Sequence, residues 1–441
     1  VKGVVVQFGG QTPLRIANKL KEFGYEILGT SFDAIDISED RERFQQLIQK
    51  VGLKQPKSDI SIGTKELLKK TTKLNFPILL RPSYVLGGRM MEKMNSSEDV
   101  QNYIDQNYWA LENNVILIDE FLKDAKEVDV DVLRDKAGNC MIAGIMEHIE
   151  EAGVHSGDSA CCIPPFSLSN EIINSIKSFS KSLANELGTV GLMNVQYAIK
   201  DNEIYILEAN PRASRTIPFL AKAIGIPFIK IAAELIAGKS LSKEFIDFEP
   251  ESLPYFAIKE AVFVFNKFPN TDVILGPEMK STGEVMGIDE DFNMAYLKSQ
   301  IGSGHKLYDL KNIFVSVKDE DKEDIFEIVN SLSKSGYNIY TTRGTHEFLT
   351  KKGISTNLVN KVAEGSPHVV EFIKDGKIDM VINTTENKQA IKDSFTIRRT
   401  AVDLNVPYFT NLRSAKILYK SLISLKNSEI SVKAIQNHHI Y

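Results

Sequence analysis

The stretch GLMNVQYAIKDNEIYILEANPRASRT, residues 191–216, alternates apolar and polar side chains on both sides of Asp201–Asn202. Alternation of period two reads as half-buried strands, and a short polar pair between two such runs reads as a hairpin. Hairpins among helices depart from strict βαβ succession, so the middle of the chain is expected to be α+β. The second strand ends unusually, because Glu208, Asn210, Arg212 and Arg215 set acceptors for a cation beside donors for an anion. Glu208 and Asn210 share one strand face. Oxygen ligands of this kind suit Mg2+ or Mn2+, and Gln196 on the first strand offers another. Whether Gln196 joins them depends on register. A two-residue loop at Asp201–Asn202 pairs 196 with 207 and puts Gln196 and Glu208 on opposite faces; a three-residue loop, or a bulge, pairs 196 with 208 and brings them together. Arg212 and Arg215 match phosphate oxygens through a fixed fork of donors. Metal on one side and guanidinium on the other is how a phosphoryl group is held during transfer. The bland alternative is a solvated strand edge followed by surface arginines in ion pairs.

The flanking segments extend this reading. FPILLRPSYVLGGRMM (76–91) is a buried strand with Arg81, then a Gly87–Gly88 loop whose backbone N–H groups suit phosphates. NNVILIDEFLKDAKEVDVDVLRD (113–135) holds an apolar strand, a polar connector and an alternating strand. CMIAGIMEHIEEAGVHSGDSACCIPP (140–165) is a strand followed by a polar loop, Gly153 to Asp158, suited to ribose or phosphates. A lone His155 in such a loop is more often structural than a general base. A helix is expected over 170–187. The absence of a Walker A motif and of GxGxxG argues against P-loop and kinase machinery. Upstream, VKGVVVQFGG, a helix with Pro13 in its first turn and Gly24 as its stop, and YEILGT form one β–α–β unit. Downstream of GSG in SQIGSGHKLYD, the short strands NIFVSV, YNIYTT, DMVIN and PYFT alternate with helical stretches and predict a small doubly wound domain. The expected domains are 1–35, 36–306 and 307–441.

Bulk properties bound the rest. A chain of 441 residues with 43% hydrophobic and 25% charged residues is globular and long enough for about three domains. A formal net charge of −5 gives no electrostatic case for nucleic acid or an anionic membrane surface. No apolar run approaches the roughly 18–20 residues needed to span a bilayer, and the start lacks a signal peptide's pattern, so a cytoplasmic setting is expected. Cys140, Cys161 and Cys162 have neither disulfide-framework nor zinc spacing. The chain begins at Val1 on a strand-like run, and a fragment is expected.

The strings RPSYVLGGRMM, EVDVDV, GIMEHIEEAGVHSGDSA, GLMNVQYAIK, ILEANPRASRTIPF and FNKFPNTDVILGPEMKSTGEVMG together closely resemble the carbamoyl-phosphate synthase large-subunit family, in its C-terminal half. VVVQFGGQTPLRIANKL and GTSFDAIDISEDRERF extend the resemblance to the start. It implies an ATP-grasp module, preceded by a truncated Rossmann-like pre-ATP-grasp piece and followed by a methylglyoxal-synthase-like regulatory domain. The implied reaction is carbamate + MgATP to carbamoyl phosphate + MgADP. Implied ATP contacts are Arg81, Glu120, Leu122, Glu127, Gly153, Val154, His155, Ser156, Gln196 and Glu208. Implied Mg2+ or Mn2+ ligands are Gln196, Glu208 and Asn210, with Arg212 and Arg215 holding transferring phosphate or carbamate. Glu120 stands where a bacterial relative has histidine, whereas a backbone contact from Leu122 is independent of side chain.

By the same resemblance, Lys322, Thr342, Thr345, Lys361, Asn383, Thr384 and Thr385 would bind the phosphate of a UMP-like nucleotide. Glu150, Asp158, Glu260, Tyr408 and Thr410 match an ornithine site, in which Phe409 stands where an acidic residue is expected. Implied partners are the N-terminal half of the large subunit, which supplies carbamate through a tunnel, and a glutaminase small subunit. The product would feed arginine or pyrimidine biosynthesis. Two rivals remain: another ATP-grasp ligase or carboxylase, and a nucleotide-binding regulatory fragment without turnover.

Overall fold

The computed structural model describes residues 2–82, 90–385 and 388–439. Among these, the strands form four sheets of two, four, seven and five strands. The seven-stranded sheet runs in the order Glu203–Asn210, Gly191–Lys200, Lys126–Arg134, Cys140–His148, Cys161–Ile163, Phe256–Val262 and Gly283–Asp289, every neighbouring pair antiparallel. Period two divides strand Lys126–Arg134 between the faces. Val128, Val130 and Val132 pack with Ile176, Leu183 and Leu187 of helix Asn170–Leu187. That helix spans the predicted range, is capped by the Ser169 hydroxyl and stops at Gly188 with φ 65°. On the opposite face Leu133, Met141 and Leu192 lie beneath helices Ile217–Ile224 and Phe228–Ile236. The polar residues of that face lie at its other end.

The antiparallel four-stranded sheet, in the order Ser58–Ile62, Val115–Glu120, Ile78–Pro82 and Glu92–Met94, packs Leu80, Ile116 and Ile118 against Tyr103 and Leu111 of helix Ser97–Leu111. Near the start, Val4–Val5 pairs in parallel with Ile27–Leu28 around helix Gln11–Glu22, with Val6, Leu14, Ala17 and Ile35 as its small core. Helix Arg41–Val51 follows a separate helix, Phe32–Glu39. Asp40 is extended between them and caps Arg41–Val51 by accepting the Arg43 N–H at 2.8 Å.

The parallel five-stranded sheet has the order Asn357–Leu358, Asn338–Thr341, Asn312–Ser316, Met380–Asn383 and Tyr408–Phe409. Its edge strand Asn357–Leu358 escaped the sequence reading because two residues carry no periodicity. The GSG segment turns the chain, yet one core runs across position 306: Ala295 and Leu297 of helix Phe292–Gly302 pack with Leu418 and Leu422 of helix Leu412–Asn427. No helix among the described residues is long and apolar enough to cross a membrane.

Candidate active site

The hairpin loop does have two residues, Asp201 and Asn202, both at positive φ, and Lys200 pairs with Glu203. That loop alone would set 196 against 207. A β-bulge intervenes: Tyr197 faces Ile206, Gln196 faces Glu208, and Leu207 is the extra residue. Gln196 and Glu208 therefore share a face. On its other side Gln196 pairs with Asp129, while Asn194, opposite Asn210, pairs with Asp131. Two polar rows cross the sheet, Glu208–Gln196–Asp129 and Asn210–Asn194–Asp131. Asn210 Nδ2 donates to Glu208 Oε1 at 2.8 Å, and Gln196 Nε2 reaches Ser156 Oγ at 3.5 Å.

The turn after the second strand carries the two arginines. Burial of the Arg212 guanidinium lowers its pKa, with Glu208 opposing that shift and Arg215 adding to it. Arg212 thus senses both of the other charges. Arg215 Nη1 meets Met279 Sδ, and a Cβ on Gly157 would sit 3.2 Å from both Arg215 Nη1 and His155 Nδ1. Burial, reinforced by Arg215, holds the His155 pKa below its ordinary value, which favours the neutral imidazole.

Loop 153–157 is fixed from several sides. Gly153 N donates to Glu127 Oε1 at 2.9 Å. Its φ is +94°, and a Cβ there would lie 2.6 Å from the Phe121 ring, so glycine is required. Val154 N points back to Glu151 O, and His155 N donates to Gly276 O at 2.8 Å. Buried Lys259 donates to Ser156 O at 3.1 Å. His148 Nε2 lies 2.9 Å from Asp129 Oδ2, with Nδ1 3.9 Å from Glu127.

On the four-stranded sheet, Arg81 is held by Asp119 at 2.9 Å. Glu120 turns its carboxylate to the backbone and side-chain nitrogens of Asn75, at 2.9 and 3.0 Å. The Leu122 carbonyl accepts from Ala125 N. Gly87–Gly88 lies outside the described residues.

Sequence reasoning passed over Asp129, Asp131, Lys259, Ser214, Thr216 and Gln7. For two of them a signal was present, since Glu127, Asp129 and Asp131 recur at period two in EVDVDV. Burial pushes the Asp131 carboxyl up to about 7, against the pull of hydrogen bonds from Thr216, Ser214 and Asn194. The others carry no pattern of their own.

The second group of residues gathers at the carboxyl ends of the parallel strands. Thr342, Thr345, Asn383 and Thr384 are buried there. Thr342 Oγ1 is 2.9 Å from Ser316 Oγ, Asn383 Nδ2 donates to Ser316 O at 3.1 Å, and Thr384 Oγ1 accepts Lys318 N. Lys322 pairs with Asp319 at 2.7 Å and stands over Gly344. Lys361 is exposed, and Thr385 follows Thr384 just past the strand. Strand order reverses between Asn312–Ser316 and Met380–Asn383, the switch point where open α/β sheets bind ligands.

Glu150, Glu260, Tyr408 and Thr410 line one cavity between the two large sheets. Burial and the neighbouring Glu150 raise the Glu260 pKa. Phe409 also lines the cavity, edge-on to His305 at 5.8 Å. Asp158 does not line it; its carboxylate accepts the N–H groups of Lys280 and Ser281 at 2.8 and 2.9 Å.

Residues 40–244 match the family described as carbamoyl-phosphate synthase L chain, ATP binding domain, and residues 324–410 match the MGS-like domain. The carbamoyl phosphate synthase large chain of Myxococcus xanthus is 49% identical over 99% of this chain and 40% of its own length. That of Archaeoglobus fulgidus is 48% identical over 99% of this chain and 41% of its own length. This chain thus spans about 40% of the length of these relatives. The carbamoyl phosphate synthase large chain, C-terminal section, of Aquifex aeolicus is 45% identical, with 99% of this chain and 84% of that one covered. Among solved structures, a biotin carboxylase–β-γ-ATP complex from Campylobacter jejuni superposes with TM-score 0.54 at 15% identity, covering 68% of this chain and 74% of that one. N5-carboxyaminoimidazole ribonucleotide synthetase from Thermus thermophilus gives 0.53 at 14% identity, covering 68% and 81%. These two share the ATP-grasp fold.

Proposed function

The chain belongs to the family of carbamoyl phosphate synthase large chains, and on that premise we propose that it phosphorylates carbamate with ATP. The observation carrying this reading is the bulge that sets Gln196 opposite Glu208, next to the turn bearing Arg212 and Arg215. A carbamate oxygen attacks the γ-phosphorus, the bond to the β-γ bridging oxygen breaks, and ADP leaves with the electron pair. No nucleophilic side chain is needed, so the protein's work is positioning, charge stabilisation and exclusion of water.

The donor set fits Mg2+ or Mn2+. Among the described residues no group of three or more His, Cys, Asp or Glu could hold a metal. A cation at Glu208 would therefore rest on one carboxylate, the amide oxygens of Gln196 and Asn210, and phosphate oxygens, the mixture Mg2+ favours. Asn210 would offer its oxygen with the amide turned over from its present bond to Glu208. When bound, the cation would neutralise charge shared between the β- and γ-phosphates. Arg212 and Arg215 would hold the transferring group from the far side, and neutral His155 would adjoin them without adding positive charge. Glu127, Gly153 to Ser156 and Leu122 would hold the nucleotide, with Arg81 on the opposing sheet.

The domain limits 1–35, 36–306 and 307–441 go with this reading. So do a UMP-like nucleotide at the ends of the parallel strands, ornithine in the cavity at Glu150 and Glu260, and carbamate supplied by an N-terminal half served by a glutaminase subunit.

The test is ATP formation from carbamoyl phosphate and MgADP by this chain alone, with Glu208→Ala as control. Activity that the control loses supports the reading. MgADP binding without turnover favours a regulatory fragment that needs the proposed N-terminal half, and no nucleotide binding removes the site assignment.

A further inference from the structure

The turn 211–216 is gripped at two places by two fully buried polar residues from different parts of the chain. Gln7 brackets Arg212: its carbonyl oxygen accepts Ala213 N at 2.8 Å, and its Nε2 donates to Pro211 O at 3.0 Å. Asp131 brackets Arg215, because both Ser214 Oγ and Thr216 Oγ1 donate to Asp131 Oδ2 at 2.8 Å. Those hydroxyls lie 2.7 Å from each other, and Ser214 Oγ also accepts Ile217 N at 3.2 Å, tying the grip to the start of helix Ile217–Ile224. Each arginine thus has both of its chain neighbours held by hydrogen bonds to a distant buried residue.

We propose that Asp131 and Gln7 are positioning residues that set where the guanidinium groups of Arg212 and Arg215 stand. This rests on the phosphoryl-transfer reading of the site. Neither residue need touch substrate. A long arginine side chain finds a phosphate only from a fixed backbone origin, and a displacement of about 1 Å at a reacting centre costs on the order of 100-fold in rate. The two grips also divide the site. Gln196 and Glu208 stand on the paired strands themselves and hold their register without the turn. Loosening the turn should therefore harm the anion side and spare the nucleotide and cation side, whereas a merely structural role would harm both together.

The experiment uses the whole chain and compares Ser214→Ala/Thr216→Val, Asp131→Asn and Thr216→Ser with the parent. Folding is monitored by circular dichroism. MgADP affinity, inorganic phosphate affinity in the presence of MgADP, and ATP formation from carbamoyl phosphate are measured on each. The double variant should bind phosphate at least about tenfold more weakly and form ATP about 10- to 100-fold more slowly, and Asp131→Asn, whose amide oxygen still accepts a hydroxyl, should fall between it and the parent. MgADP affinity should stay within about twofold, and Thr216→Ser, which keeps the hydroxyl, should match the parent. Unchanged phosphate affinity in the folded double variant overturns the proposal. So does an equal loss of MgADP affinity, or a parent that binds no phosphate. A parent that binds phosphate but forms no ATP defeats the phosphoryl-transfer reading instead, and the phosphate affinities then decide the positioning role by themselves.

Discussion

The antiparallel seven-stranded sheet and the parallel five-stranded sheet place polar side chains in opposite ways. In the first, Glu208, Gln196 and Asp129 lie in a row on one face, across the three strands at one edge of the sheet, because antiparallel strands alternate their side chains and only part of that face is covered by helices. In the second, strand Met380–Asn383 is buried along its whole length, and the polar residues Thr342, Asn383 and Thr384 appear only where strands end. A face site is assembled by register, so one inserted residue decides its membership. A strand-end site is assembled by topology and is indifferent to register within the sheet. Arg398 joins the two regions, holding Asp272 with two nitrogens and reaching Asn383 Oδ1 at 3.3 Å.

This contrast yields tests of decreasing size. Glu208→Ala should cut ATP formation by at least about 1,000-fold, roughly 4 kcal/mol of transition-state stabilisation, with an unchanged circular dichroism spectrum. Residual turnover near the parent's would remove Glu208 from the face site. Arg398→Met strips a fully buried guanidinium from Asp272 and should cost about 3 kcal/mol, read as a lower urea midpoint. A neutral result would mean that the Arg398–Asp272 pair adds nothing to the joint, leaving it to apolar packing and to contacts such as Ser414 Oγ with Glu150 Oε1.

His305, partly buried between the sheets, is lowered by burial from 6.5 to about 4. Its unfolded form takes up a proton first, so the stability it contributes is complete above pH 6.5 and is lost as pH falls towards 4. The loss is about 3 kcal/mol at about 1.36 kcal/mol per pH unit. His305→Gln should flatten the denaturation profile over that range, and an unaltered slope would place the titration elsewhere. The smallest effect belongs to the strand ends. Asn383→Ala should weaken binding of the proposed UMP-like nucleotide, tested with UMP, by about tenfold, near 1.4 kcal/mol, by calorimetric titration, while leaving MgADP affinity as it was.

Much of both sites was legible in the sequence. Glu208, Asn210, Arg212 and Arg215 sit within one short segment, and local chemistry sufficed to propose a cation's ligands beside an anion's. The strands NIFVSV, YNIYTT and DMVIN announced the second sheet, and the resemblance alone pointed to the threonines past their ends as a proposed ligand site. Asp131 was harder. Its strand was recognised, but an acidic residue in an alternating run reads as solvent-facing until the turn 211–216 is folded over it. Gln7 was harder still, because the backbone it holds lies about two hundred residues away.

The sequence by itself determined most of the strands and helices, the helix 170–187, the α+β middle and the family's strings, because these depend on periodicity and on neighbours a few residues apart. Only the tertiary structure decided that Gln196 stands against Glu208, that Asp131 and Gln7 grip the arginine turn, and that one core continues across position 306. Those outcomes depend on strand register and on burial of groups distant in the chain, and local preference does not fix either. The bulge at Leu207 is the plainest case. A two-residue loop predicts the opposite face, and one unpaired residue reverses it.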